Sequence, residues 1–106
     1  MKKVYLDNAA TTQLNQKVVD EMTSVLVNSY GNPSSTHFFG RDSKTIIELS
    51  RKFIANMFNV KPKEIFFTSG GTESNNMIIK SCIEHGVERI ITTKIEHKAV
   101  LNPVLN

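Results

Sequence analysis

The residues with the most chemical promise lie in the run Thr68-Ser69-Gly70-Gly71-Thr72-Glu73, where a β-favouring stretch gives way to a helical pattern. The first turn of a helix presents backbone N–H groups without partners inside the helix, and the summed peptide dipoles leave that end partly positive. Such an end suits a phosphate group. Gly70 and Gly71 carry no Cβ to hold an anion away from the backbone, while Ser69 and Thr72 can add hydroxyl hydrogen bonds. The run lacks the lysine of Gly-x-x-x-x-Gly-Lys-Ser/Thr and the third glycine of Gly-x-Gly-x-x-Gly. A phosphorylated ligand smaller than a nucleotide is the reading that follows. On spacing alone, a tight turn at the glycines with Thr72 as helix cap accounts for the same residues.

His97 follows the next β-favouring stretch, and in open parallel sheets ligands gather outside the carboxyl ends of the strands. An imidazole there could stack on a planar ligand, hydrogen-bond it or carry protons; capping a helix is the plainer use of the same residue. His37 and His85 make no short metal-ligand spacing with it, so no metal site is expected. Cys82 falls on the apolar side of its helix and is expected to be a small buried packing residue. Near the N-terminus, Tyr5-Leu6-Asp7-Asn8-Ala9-Ala10-Thr11-Thr12 offers hydrogen bonds at Asn8 and Thr11 and room for close approach at the alanines. These residues could form a site wall, or only a turn before the first helix.

Several elements must position these groups. Val18, Val19, Met22, Val25 and Leu26 recur at helical spacing, which predicts a helix over Lys17 to Leu26 that ends near Asn28. Ser29 to Thr36 reads as a Gly/Asn/Pro/Ser-rich loop, long enough to do more than connect. A second helix is predicted from Phe38 or Phe39 to about Met57, with Ile46, Ile47, Phe53, Ile54 and Met57 as its buried stripe. Ile65 to Thr68 predicts a strand, Thr72 to His85 a helix closed at Gly86, and Arg89 to Thr93 a second strand. Glu64 to Thr93 is thereby predicted to be a βαβ unit with parallel strands, and the fold class is α/β. A last helix is predicted near His97, with Pro103 costing it a hydrogen bond unless it lies in the first turn.

Composition excludes other classes. The chain has 106 residues, 13 Lys or Arg against 10 Asp or Glu for a formal charge of +3, and 40% hydrophobic residues. That is an ordinary globular balance, short enough to be one domain. The basic residues are scattered and form no stripe interleaved with aromatics, so direct nucleic-acid binding is not expected. No stretch approaches the roughly 18 apolar residues that a membrane span requires, and the N-terminus has no apolar signal core. A single cysteine, Cys82, excludes an internal disulfide framework and a cysteine-based zinc cluster. A cytoplasmic protein without membrane contact is the expectation.

Four segments, in order and at their spacing, carry a resemblance: Tyr5 to Thr12, then Gly31-Asn32-Pro33-Ser34-Ser35-Thr36-His37 with Gly40-Arg41, then Phe67-Thr68-Ser69-Gly70-Gly71-Thr72-Glu73-Ser74-Asn75-Asn76, then Glu96-His97-Lys98-Ala99-Val100. The chain resembles the N-terminal part of the cysteine desulfurases, pyridoxal-phosphate enzymes of the class V aminotransferase type. Its Gly31 to Arg41 segment is similar to the branch serving iron–sulfur cluster assembly and tRNA thiolation.

The resemblance implies the N-terminal part of a fold-type I pyridoxal-phosphate transferase. In it, residues 1–60 form a segment with two helices and an active-site loop, and residues 61–106 begin the cofactor-binding large domain with the βαβ unit of its parallel sheet. It implies pyridoxal 5'-phosphate as cofactor, with Gly71 and Thr72 on the phosphate and His97, the catalytic residue, stacked on the pyridine ring. Asn8, Ala9, Asn32 and His37 would lie on the substrate side. The implied reaction takes sulfur from L-cysteine, releases L-alanine and leaves a persulfide that a homodimeric enzyme hands to a scaffold or thiolation protein. The lysine that links to the cofactor and the persulfide-forming cysteine belong to family segments beyond residue 106; Lys94, Lys98 and Cys82 do not match them. The chain is therefore expected to be a piece of such an enzyme and inactive alone. Another class V enzyme, such as an aminotransferase or selenocysteine lyase, and a noncatalytic scaffold piece remain alternatives at this point.

Overall fold

The computed structural model describes residues 3–105. Its elements are α1 (Gln16–Asn28), α2 (Phe38–Phe58), a 3₁₀ turn (Pro62–Glu64), α3 (Gly71–Glu84) and α4 (Lys98–Leu105). The chain divides into two compact units, Met1–Glu64 and Ile65–Asn106. No helix among the described residues is long and apolar enough to cross a membrane.

In the first unit, α1 starts where Asn15 can cap it, its side-chain oxygen accepting the Lys17 N–H at 2.9 Å. His37 plays the same part for α2, its Nδ1 accepting the Gly40 N–H at 3.4 Å. At the other end of α2, Asn59 adopts a left-handed φ of 53°. This lets Asn59 N–H reach the Asn56 carbonyl and Val60 N–H reach that of Ala55, so two orphan carbonyls are satisfied. The 3₁₀ turn packs against α2 and is closed by Glu64, which accepts the Lys61 N–H at 2.7 Å.

The expected buried stripe on α2 is only partly buried. Ala55 is fully buried and Ile46, Ile47 and Ile54 are half-buried, whereas Phe53 and Met57 are 67% and 69% exposed. Helical periodicity names the face that would be buried, but burial needs a partner element. Among the described residues the 3₁₀ turn is the element that packs on α2.

The second unit is built from α3 and α4, which pack on each other, with Ala99 and Pro103 of α4 buried. α3 ends in a left-handed Gly86 with φ 89°. Gly86 N–H donates to the Ile83 carbonyl and Val87 N–H to that of Cys82, the paired closure that a glycine after a helix permits. Pro103 sits inside α4 rather than in its first turn and leaves one ladder bond unmade.

The predicted βαβ unit is not formed: no strand occurs among the described residues, and the segments at 65–68 and 89–93 enter no ladder. β-Favouring residues make a segment able to extend, but a parallel strand exists only beside neighbours, in a sheet covered on both faces. Phe66, Phe67 and Ile91 remain exposed, the last at 90%. Cys82, expected to be buried, is also exposed.

Candidate functional site

The junction into α3 is held by two side-chain clasps. On one, a single carboxylate oxygen of Glu73 accepts both the Ser69 N–H at 2.6 Å and the Ser69 hydroxyl at 2.7 Å. On the other, the hydroxyls of Thr68 and Ser74 meet at 2.7 Å, and both reach the Gly70 carbonyl at 3.3 Å. The Ser69 N–H, followed by its hydroxyl, holds the Glu73 carboxyl below its ordinary value, with slight burial opposing.

Between the clasps the backbone is bare. α3 has no side-chain cap at Gly70, and a Cβ placed on Gly70 or Gly71 would meet no atom within 4 Å. Thr72 is exposed, and its carbonyl is taken up within the helix turn by the Asn76 amide at 2.8 Å. The uncapped N–H groups of the first turn, the exposed Thr72 hydroxyl and the open space before the glycines together fit a phosphate group. The glycines are not needed to avoid a clash inside this unit.

His97 sits at the corresponding end of α4. Its Nδ1 accepts the Ala99 N–H at 3.1 Å and its carbonyl accepts the Val100 and Leu101 N–H groups. An accepting Nδ1 leaves Nε2 as the protonated ring nitrogen. His97 thus caps a helix, and the same bond fixes its ring. Gly71, Thr72 and His97 belong to one unit, at the starts of two helices that pack together.

The remaining residues singled out in the sequence lie in the other unit. Asn8 and Ala9 form the exposed crest of a turn in which the Asp7 carbonyl accepts the Ala10 and Thr11 N–H groups. The side-chain oxygen of Asn32 accepts the Ser34 N–H at 2.9 Å, so it shapes its own loop. His37 spends Nδ1 on capping α2. That loop is drawn tightly onto α2: a Cβ on Gly31 would stand 2.3 Å from the Phe39 carbonyl oxygen, and one on Gly40 would stand 2.4 Å from that of Ser35.

Two residues to which the sequence alone assigns no role of their own organise these places. Ser43 is buried and donates to the Ser29 carbonyl, and Glu73 closes the α3 junction. Glu73 carried a signal, since a glutamate in the third helical position is known to reach back to N–H groups before the helix. Ser43 carried none. A cleft of about 360 Å³ between α3 and α4, lined by Asn76, Lys80, Ile83, Glu84, Asn102 and Pro103, was also invisible in the sequence.

Comparison with known proteins places this geometry in context. Residues 4–106 match the family model described as Aminotransferase class-V. The chain is 50% identical over 105 residues to the cysteine desulfurase IscS of Dictyoglomus turgidum, covering 96% of this chain and 27% of that protein. It is 45% identical over 104 residues to the mitochondrial cysteine desulfurase of Saccharomyces cerevisiae, covering 94% and 21%. A solved NifS-like protein superposes with a TM-score of 0.87 at 44% identity, over 98% of this chain and 29% of that one. The chain spans about a quarter of the length of the curated relatives it matches.

Proposed function

Because the chain belongs to the class-V aminotransferase family, we propose that it forms the N-terminal, phosphate-holding part of a pyridoxal-phosphate-dependent cysteine desulfurase. The observation that carries this reading is identity of 42% to 50%, along nearly the whole chain, to proteins named cysteine desulfurase. The NifS-like neighbour supports the fold-type I frame of such an enzyme. In that frame residues 1–60 supply the N-terminal helices and the loop of the active site, and residues 61–106 begin the cofactor-binding large domain. The segments at 65–68 and 89–93 become parallel strands there, once sheet neighbours cover them.

The N–H groups of Gly71 and Thr72 and the Thr72 hydroxyl hold the cofactor phosphate, with the α3 dipole favouring its negative charge. His97, its ring fixed by the Nδ1 bond to Ala99, stacks on the pyridine ring and presents Nε2–H for proton transfer. Asn8, Ala9, Asn32 and His37 line the substrate side. When bound, pyridoxal phosphate supplies an electron sink for chemistry at the substrate's amino-acid carbon. The substrate is L-cysteine, the products are L-alanine and a protein-bound persulfide, and the enzyme acts as a homodimer that passes sulfur to an acceptor protein. Its place of action is the cytoplasm, as expected for a relative of a bacterial desulfurase; the yeast relative is mitochondrial by name.

The test is direct. Pyridoxal phosphate titrated into the chain, followed by calorimetry, is expected to bind noncovalently, and Thr72→Ala is expected to weaken it about tenfold by removing a hydrogen bond to a charged group. Cysteine-dependent sulfide release by the 106-residue chain is expected to be absent. Equal binding by the parent and Thr72→Ala would overturn the assignment of Thr72, and sulfide release would overturn the reading of the chain as a piece.

A further inference from the structure

We propose that Glu73 is the positioning residue of the phosphate cradle: by holding Ser69 it sets the entry into α3 so that the Gly71 and Thr72 donors alone face the phosphate. The proposal rests on the reading that this helix end holds the phosphate of pyridoxal phosphate.

The geometry supplies the argument. One carboxylate oxygen of Glu73 takes both donors of Ser69, the N–H at 2.6 Å and the hydroxyl at 2.7 Å. Ser69 therefore has no donor left for a ligand, although its type and place make it a natural phosphate contact. A glutamate in the third helical position ordinarily closes on the N–H of the capping residue itself. Here the cap is Gly70, which makes no side-chain bond, and Glu73 reaches one residue further back. The Thr68–Ser74 hydroxyl pair ties the same turn from the other side. Between these ties lie two glycines with open space around them, and such backbone has wide conformational freedom unless its ends are fixed. Two short bonds to a charged acceptor are the stronger of the ties. The depressed Glu73 carboxyl is ionised at neutral pH, so they persist under working conditions.

The carboxylate charge also stands near the proposed phosphate and opposes it, so the test compares two neutral variants. Glu73→Gln keeps an oxygen acceptor for Ser69 and Glu73→Ala removes it; both lose the charge. Inorganic phosphate and pyridoxal phosphate are the probes, titrated into the chain by calorimetry, with helix content followed by circular dichroism. Glu73→Gln is expected to bind both probes about fivefold more tightly than Glu73→Ala, the usual weight of one hydrogen bond. Ser69→Ala, which removes the hydroxyl half of the clasp, is expected to weaken binding about threefold in the parent and to add nothing in the Glu73→Ala background, where that bond is already gone. Ser69→Ala leaves α3's own residues in place, so this arm holds even if Glu73→Ala loses helix. Equal affinity of the two neutral variants, or additive losses in the double variant, overturns the proposal while binding by the parent leaves the phosphate reading standing. A parent that binds neither probe overturns both.

Discussion

The Ser43 hydroxyl, on α2, donates to the backbone carbonyl of Ser29 at 2.9 Å and lies 3.2 Å from that of Phe39. Ser29 returns the tie, its own hydroxyl donating to the Asp42 carboxylate at 2.8 Å, and further along the loop Arg41 donates to the Thr36 carbonyl. The loop that carries Asn32 and His37 is therefore fastened to α2 at both ends. Ser43→Ala, at a residue itself only 7% exposed, would leave the carbonyl of half-buried Ser29 short of a donor. The expected cost is about 1–2 kcal/mol, read as a lower urea midpoint with unchanged slope. An unchanged midpoint would show that the tie carries no stability.

Gly40 sets helix propensity against space. Inside a helix alanine is favoured over glycine by about 1 kcal/mol, which by itself makes Gly40→Ala stabilising. The new Cβ would stand 2.4 Å from the Ser35 carbonyl oxygen and 2.6 Å from that of Asn32. Both are backbone atoms of the fastened loop and cannot swing aside. Overpacking is expected to win, with a net loss of about 2 kcal/mol in urea unfolding. A gain in stability would mean that the loop yields.

What was legible in the sequence follows from which forces are local. Helix starts and stops rest on residues within a turn of one another, and Asn15, His37, Asn59 and Gly86 set them within a residue or two of where periodicity places them. The strands expected at 65–68 and 89–93 are not formed among the described residues, because a ladder depends on sheet neighbours, which local composition cannot report. The same holds for Phe53 and Met57, apolar and correctly spaced, yet exposed. At the candidate site, the start of α3 at the diglycine run was readable. The Ser43 tie was not, because it joins residues 14 apart and nothing in a single serine marks it.

Glu73 makes its junction sensitive to acid. Its carboxyl is held below the ordinary value of 4.5, first by the Ser69 N–H and then by the Ser69 hydroxyl. A carboxyl depressed in the folded state contributes stability above its unfolded value, and that contribution is lost as pH falls through the lower folded value. Protection of the Ser69 amide against hydrogen exchange is expected to hold at neutral pH and to fail as pH falls through the lowered Glu73 value. The Glu73 midpoint, followed by carbon NMR, should lie under 4.5 and move part of the way back in Ser69→Gly, which keeps the larger, backbone contribution. A midpoint at or above 4.5 would refute the clasp.

Gly71 separates two reasons for a glycine at the proposed phosphate site. As the first residue of α3 it has an N–H that the helix does not use, and a Cβ there would meet nothing within 4 Å. Gly71→Ala keeps the N–H and is expected to raise stability by about 0.5 kcal/mol, with phosphate affinity unchanged within twofold. Gly71→Pro suits the first helical position just as well but deletes the N–H. Its phosphate affinity is expected to fall about tenfold at equal helix content, the loss of one hydrogen bond to a charged group. If Gly71→Ala instead weakens phosphate as much as Gly71→Pro, the missing Cβ is what the site requires, and the N–H of Gly71 is not a ligand.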